Sequence, residues 1–323
     1  MANILKPNAQ NISKAADLIK SGGIVCFPTE TVYGLGADAF NPTGTAKIFE
    51  AKNRPFFDPL IVHIAAIEEL DKLAVDVSEK ALKLASKFWP GPLTIIFEKT
   101  KNVPDIVTSG LSTVAVRMSN NDIAINLILE SQTPIAAPSA NPFGYLSPTT
   151  AQHVFDYLGD KVDIIIDGGA CSVGIESTII KISEIETSIL RPGGISKEEI
   201  EEVIGKTTIA QTSECPNAPG QLPYHYSPSI SLKVVDTITE NLYTDDALFL
   251  FYKKPDKSKI EIIKGKFEYL TIDGNLYEAA ANVFSALHKL DKLNGKIIYA
   301  EKVPEHGLGI AINDRLIKAA NKI

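Results

Sequence analysis

Two cations one residue apart, fenced by prolines, are the most chemically suggestive feature of this chain. Ala51-Lys52-Asn53-Arg54-Pro55-Phe56-Phe57-Asp58-Pro59 runs directly into the apolar stretch Leu60-Ile61-Val62-His63-Ile64. Pro55 and Pro59 fix their own φ and press Arg54 and Asp58 toward extended backbone. In an extended segment Lys52 and Arg54 project to one side, and two converging positive heads repel unless an anion lies between them. The pattern fits neutralisation of a polyanion; a rigid surface turn after a helix over 43–52, with both cations solvated, fits the same letters.

Of 32 Lys and Arg residues, the arginines are Arg54, Arg117, Arg191 and Arg315. Where Lys is the default, Arg marks places that need a flat, forked donor for carboxylate or phosphate. Arg117 ends the apolar run "TVAVRM" on the side of Ala115 and Thr113, where a guanidinium must reach solvent or meet a carboxylate. His63 shares a face with Ile61, as a ligand contact or as a half-buried imidazole.

Two further segments offer donors in tight turns. "PIAAPSANPFGYLSPTT" at 134–150 leaves a strand for Pro138-Ser139-Ala140-Asn141-Pro142, with Gly144 and Ser147 beyond; its hydroxyl, amide and backbone groups suit phosphate or ribose oxygens, or an ordinary turn. "DGGACSVGIESTIIKI" and "ILRPGG" bring glycines that let backbone approach a ligand, with Ser177 opening one strand and Arg191 closing another. Gly34-Leu35-Gly36-Ala37-Asp38-Ala39 spells the dinucleotide fingerprint, but Pro42 interrupts the required helix, and the chain lacks a Walker-type phosphate loop.

These residues need a scaffold, and composition permits one. The 323 residues are 45% hydrophobic and 22% charged, which predicts one or two ordinary domains, two being the better division. The N-terminus has no signal-peptide core and no run spans a bilayer, which predicts a cytoplasmic protein without membrane association. Cys26, Cys171 and Cys215 lack metal or disulfide spacing. A net charge of −7 argues against sequence-indifferent nucleic-acid binding.

Asn11 caps a helix over 11–20, and "IVCF" at 24–27 reads as a buried strand. Strand-like runs recur at 93–97, 113–118, 135–137, 163–167, 177–182 and 188–190, with helical patterns at 43–52, 78–88, 121–130 and 149–158. The expectation is an α/β domain over 1–207 built on a twisted open mixed sheet. Pro216, Pro219, Pro223 and Pro228 suppress regular structure across a Pro- and aromatic-rich linker, 208–229. Residues 230–323, with a strand at 247–252, a helix at 275–293, a strand at 296–303 and a final helix at 311–322, form a small Rossmann-like α/β module.

In order, "PTETVYGLG", "KNRPFFDPLIVH", "FWPGPLTIIF", "TVAVRM", "APSANPFG", "GIESTII" and "LRPGG" closely resemble the YrdC-like family, and "PGQLPYHYSPS" with the C-terminal module is similar to its long form. The resemblance implies a nucleotidyltransferase that makes threonylcarbamoyl-AMP and pyrophosphate from L-threonine, bicarbonate or CO2, and ATP with Mg²⁺. A separate tRNA threonylcarbamoyl transferase complex would use the product, without stable RNA binding by this chain. Lys52 and Arg54 would neutralise the phosphates. Thr31, His63, Arg117, the backbone at Ala137, and Ser177 would form the threonine pocket. Arg54, Asp58, Thr113, Ser139, Asn141, Ser147, Arg191 and Tyr226 would take the nucleotide. Family members commonly carry Asn at position 58, so Asp58 departs from the pattern and would meet phosphate or metal. Tyr224, His225 or Tyr226 would act as a lid. Rival readings are an RNA-binding module of the same fold and a carbamoyl-transfer domain with another substrate.

Overall fold

A computed structural model describes residues 1–183, 186–211, 218–263 and 266–321. Cys215 and Pro216 of the expected linker lie outside them. A 12-stranded mixed sheet carries the N-terminal two thirds, as the alternation of short β-branched runs with amphipathic helices predicts. Helices Pro42–Lys52, Glu79–Phe88, Asp122–Ser131 and Ala151–Leu158 fall on the predicted periodic segments.

The middle of this sheet positions the chemistry. Strand Ile61–Ile64 runs parallel to Thr113–Met118, with His63 registered opposite Arg117. Leu93–Lys99 pairs antiparallel with Thr113–Met118 and parallel with Thr178–Ile182. Thr187–Arg191 closes against Thr178–Ile182, placing Arg191 opposite Ile179. Ile61, Ile96, Ala115 and Ile179 form an apolar floor, packed with Leu190 and with Ala218 beyond the sheet. The larger core, including Leu35, Ile48, Val62, Val116 and Ile180, is a separate buried cluster.

Gly34–Asp38 is itself a strand, antiparallel to Val25–Phe27. Its glycines are therefore not a phosphate-binding turn, as the sequence argues. Pro42 starts a helix rather than breaking one: it is the first helical residue, where its missing N–H costs nothing, and the Asn41 side chain accepts from Thr43 and Gly44 N–H.

One local expectation is overturned. Lys52 does not lie in an extended segment; it is the last residue of its helix, and Asn53 follows in the left-handed region at φ 51°. Bonds from Asn53 N–H to Glu50 O and from Arg54 N–H to Phe49 O close the helix, the geometry of a Schellman stop. Lys52 and Arg54 consequently do not alternate along one extended strand, and they meet different acceptors: Lys52 the carbonyls of Ser139 and Asn141, Arg54 those of Asp58 and Pro59.

Regular structure also continues two residues into the predicted linker, because Thr208–Ile209 pairs parallel to Thr187–Arg191 at the sheet edge. Beyond it, Ser231–Val235, Ile297–Glu301, Ala247–Lys253 and Phe267–Thr271 make an all-parallel four-stranded sheet. Helices Leu276–Asp291 and Leu308–Ala320 cover it. The last helix begins at Leu308 rather than 311; Gly307, at φ 53°, turns the chain into it.

The two sheets share buried contacts. Val32, Leu146, Ile175 and Tyr226 belong to the same apolar cluster as Phe284, Leu287 and Leu316. Gly174 sits so close to helix Leu276–Asp291 that a Cβ there would meet Ala281 backbone at 2.4 Å. Among the described residues no helix is long and apolar enough to cross a membrane.

Candidate active site

A cleft lies over the middle strands. Thr31, His63, Arg117, Ala137 and Ser177 line one part of it, with Arg54, Ser139, Glu176 and Arg191, and Pro219, Gly220, His225 and Tyr226 cross it from the linker. The space left free is about 50 Å³, enough for a few waters, because the linker occupies the mouth. Tyr226 is buried and Arg191 Nη1 donates to Pro219 O at 3.3 Å.

Arg117 is paired inside the chain. Its Nη2 lies 2.7 Å from Glu30 Oε2, Nη1 donates to Thr31 Oγ1 at 2.9 Å, and Nε donates to Gly91 O at 3.3 Å. A guanidinium carries five N–H groups, so two remain after these contacts. Burial raises the Glu30 carboxyl, but Arg117 and the donated bond from Ser119 Oγ outweigh it and hold it below its ordinary value.

His63 is buried, and its Nδ1 has no hydrogen-bond partner among the described residues. Burial and then the Arg117 charge pull its pKa down to about 3. The imidazole is neutral near pH 7, with one nitrogen able to accept a bond.

Ser177 is held on two sides. Its Oγ lies 2.7 Å from Thr94 Oγ1, while Arg191 Nη2 reaches both Ser177 O at 2.9 Å and Ser177 Oγ at 3.1 Å. Gly193 explains how the "RPGG" turn comes this near: any Cβ there would meet Glu176 O and the Ser177–Thr178 peptide at 2.4 Å.

Arg54 and Lys52 are arranged differently. Arg54 Nε donates to Asp58 O at 3.0 Å, Nη2 donates to Pro59 O at 2.8 Å, and Nη2 stands 2.9 Å from Asp58 Oδ2. Asp58 is wholly buried; burial raises its carboxyl, against the pull of Arg54 and Lys52. Lys52 Nζ is buried behind the Ser139–Asn141 turn, donating to Ser139 O at 2.6 Å and to Asn141 O. Burial and then Arg54 push its pKa well below the usual lysine value.

Nine of the residues expected to contact substrate therefore line one cleft, Thr31, Arg54, His63, Arg117, Ala137, Ser139, Ser177, Arg191 and Tyr226, and the lid candidate His225 lines it with them. Lys52, Asp58, Thr113, Asn141 and Ser147 do not line it. Asp58 and Lys52 back Arg54 and the Ser139 turn; Asn141 Nδ2 ties Pro142 O and Tyr145 O at 2.9 Å each. Thr113 lies half-buried at the start of its strand, and Ser147 Oγ donates to Glu176 Oε1 at 2.5 Å.

Sequence reasoning missed Glu30, Glu176 and the role of Arg315. A signal existed in the acids set within "PTET" and "GIEST": a carboxylate beside an apolar strand demands a cation, and the chain has few arginines to supply one. Arg315 Nε pairs with Glu176 Oε2 at 2.7 Å. Burial raises the Glu176 carboxyl, but Arg315, Arg191 and the Ser147 bond bring it down to about 2.

Comparison with known proteins gives two family-model matches. The Sua5/YciO/YrdC model, described as telomere recombination, covers residues 17–193, and the C-terminal domain model of threonylcarbamoyl-AMP synthase covers residues 195–321. Threonylcarbamoyl-AMP synthase of Pyrococcus abyssi is 43% identical over 95% of this chain and 93% of its own length. That of Bacillus subtilis is 41% identical over 98% and 94%. The crystal structure of P. abyssi Sua5 complexed with L-threonine superposes with a TM-score of 0.91 at 40% identity, covering 99% of this chain and 97% of that one.

Proposed function

The chain belongs to the Sua5/YciO/YrdC family, and from that membership we propose that it is a threonylcarbamoyl-AMP synthase, a nucleotidyltransferase using L-threonine, bicarbonate or CO2, and ATP. The observation that carries the reading is the cleft in which Arg117, Thr31, His63 and Ser177 converge, in a fold matched along nearly its whole length by a protein crystallised with L-threonine.

In this reading the two remaining Arg117 N–H groups take the threonine carboxylate as a fork. Glu30 holds the guanidinium in place, and neutral His63 accepts from the amine or hydroxyl. The threonine amine adds CO2 to give a carbamate and releases a proton. A carbamate oxygen then attacks the α-phosphorus of ATP, the bond to the β-phosphate oxygen breaks, and pyrophosphate leaves.

Arg54, with Asp58 fixing its plane, meets charge growing on the phosphates; preorganised charge of this kind commonly contributes several kcal/mol to a barrier. Lys52 supports the same end from behind by pinning the carbonyls of Ser139 and Asn141. Asn141, Ser147, Thr113 and Arg191 serve the nucleotide side, the first two by shaping the turn. Mg²⁺ would arrive as an ion carried by the ATP phosphates, in keeping with its preference for phosphate and water oxygens with few protein ligands. When bound it would draw charge from the phosphates; Asp58, wholly buried and matched by Arg54, does not line the cleft.

The linker fills the mouth, so it must lift to admit ATP and close again over the product, with Tyr226 as the cover that excludes water. Product would pass to a separate tRNA-modifying transferase complex.

Incubating the chain with ATP, Mg²⁺, bicarbonate and threonine, then measuring pyrophosphate and the product mass, tests the reading. Expected is pyrophosphate release that requires threonine and a product of threonylcarbamoyl-AMP mass. Turnover indifferent to threonine would reject it.

A further inference from the structure

The fourth arginine lies outside the catalytic domain yet ends beside its cleft. Arg315, on helix Leu308–Ala320, is fully buried. Its Nε pairs with Glu176 Oε2 at 2.7 Å, and its guanidinium stands 5.1 Å from the centre of the Tyr226 ring. Glu176 directly precedes Ser177 in the cleft, and its other oxygen accepts from Ser147 Oγ at 2.5 Å. One turn later on the same helix, Lys318 Nζ donates to Gly220 O at 2.7 Å. Asp314 completes the cluster, 2.6 Å from Arg315 Nη1 and 2.8 Å from Lys318 Nζ.

A single helix face thus grips the linker at two points, Gly220 and Tyr226, and the rim of the cleft at a third, Glu176. Stability is a poor reason to put an ion pair there. Desolvating two charges commonly costs as much as their attraction returns, and apolar replacements of buried pairs are often no less stable. What the pair does supply is direction: a fork that fixes the carboxylate plane and a cation that fixes the ring above it. Tyr226 needs such fixing, because it holds φ 65°, a conformation uncommon for a bulky side chain.

We propose that Arg315 is a positioning residue for adenylate formation, supplied by the C-terminal module and acting through Glu176 and Tyr226 to hold the cleft rim and the linker in the closed arrangement. The inference rests on the synthase reading for its kinetic part. Its structural part stands independently. It assigns the C-terminal module a defined job: closing the site of the other domain.

The test compares the full-length parent with R315Q, R315K, E176Q and E176Q/R315Q. Steady-state pyrophosphate release gives kcat and the KM for ATP and for threonine. Hydrogen exchange of residues 219–227, without substrates, reports linker closure. For R315Q the expectation is lost exchange protection across 219–227, an ATP KM raised about tenfold and kcat lowered about a hundredfold, the size of effect that small misplacements produce. R315K keeps the charge without the fork and should lose about tenfold in kcat. The double variant should be no worse than R315Q, because the two side chains act as one unit.

Parent-like KM, kcat and exchange in a folded R315Q would overturn the proposal. If R315Q melts below the assay temperature, R315K decides, and parent-like kcat and protection there would overturn it equally. An inactive parent would instead count against the synthase reading, leaving exchange to judge the clamp.

Discussion

Glu30 Oε2 lies 2.7 Å from Arg117 Nη2, both side chains almost wholly buried, and Ser119 Oγ donates to the same carboxylate oxygen. The pair joins the turn after strand Val25–Phe27 to strand Thr113–Met118, elements the chain separates by some eighty residues. A guanidinium that must meet a ligand is thereby aimed before the ligand arrives.

Breaking that pair should be felt in folding and in threonine binding together. E30Q is expected to lower stability by about 3–5 kcal/mol, the usual cost of leaving one partner of a buried pair uncompensated. It should also raise the threonine KM at least tenfold while changing the ATP KM little. Urea melts and the two KM values check this; equal changes in both KM values would contradict the assignment of Arg117 to the amino acid.

Arg54 and Lys52 should separate by substrate and by mechanism. R54Q, which removes the cleft-facing cation, is expected to cut kcat/KM for ATP by about a hundredfold or more, with threonine binding by calorimetry unchanged. K52M should instead loosen the Ser139–Asn141 turn, visible as faster hydrogen exchange there. Unchanged exchange in K52M with a full loss of ATP turnover would place Lys52 on the phosphates after all.

The helix stop at Asn53 gives a stability prediction independent of function. Position 53 sits at φ 51°, where glycine carries no Cβ penalty and β-branched residues do. N53G should be neutral or stabilise by up to about 1 kcal/mol, and N53V should destabilise by at least about 1 kcal/mol. Thermal melts of the two variants should therefore move apart; a higher melting temperature for N53V would refute the geometry.

Acid should weaken the fold through buried imidazoles. Burial, with the neighbouring charges, holds His63 and His153 at about 3 and His288 at about 4, against about 6.5 in an unfolded chain. Between those values the unfolded state binds protons that the folded state refuses, so stability rises with pH across about 3 to 6.5 and levels off above it. His153 and His288 stack at 3.8 Å between the two domains, so H153Q/H288Q should flatten the dependence of Tm on pH. A parent Tm constant from about pH 7 to pH 4.5 would contradict this.

Tyr226 should also matter after chemistry. Y226A opens the cover over the cleft and is expected to shorten the lifetime of bound threonylcarbamoyl-AMP, with water competing for the product. Product mass balance over time checks it; an unchanged ratio of threonylcarbamoyl-AMP to free AMP would remove Tyr226 from that role.

The mixed sheet, its helices and the division into two modules were legible from periodicity, and Arg54, Arg117 and Arg191 from the rarity of arginine, because these are local properties; His63, Ser139 and Ser177 stood out only as candidates, and Thr31, Ala137 and Tyr226 came in only through the family resemblance. The direction of Lys52 was not. Proline spacing argued for extended backbone, while the helix runs through Lys52 and Asn53 stops it in the left-handed region, so Lys52 belongs to the helix and Arg54 to the turn after it. Strands Ser231–Val235 and Phe267–Thr271 escaped notice as well; they are short and half-exposed, and become strands by pairing in a parallel sheet.

What this sequence determined by itself is the set of groups available: four arginines among many lysines, proline-fixed turns, and acids placed beside apolar strands. Only the tertiary structure decided the pairing of those charges, Glu30 with Arg117, Asp58 with Arg54, and Glu176 with Arg315 across a domain boundary. The reason is that a buried charge is tolerated only where the whole fold brings its counter-charge: Glu30 and Glu176 meet arginines far along the chain, while Arg54 and Asp58, neighbours in sequence, are buried together only by the packing around them.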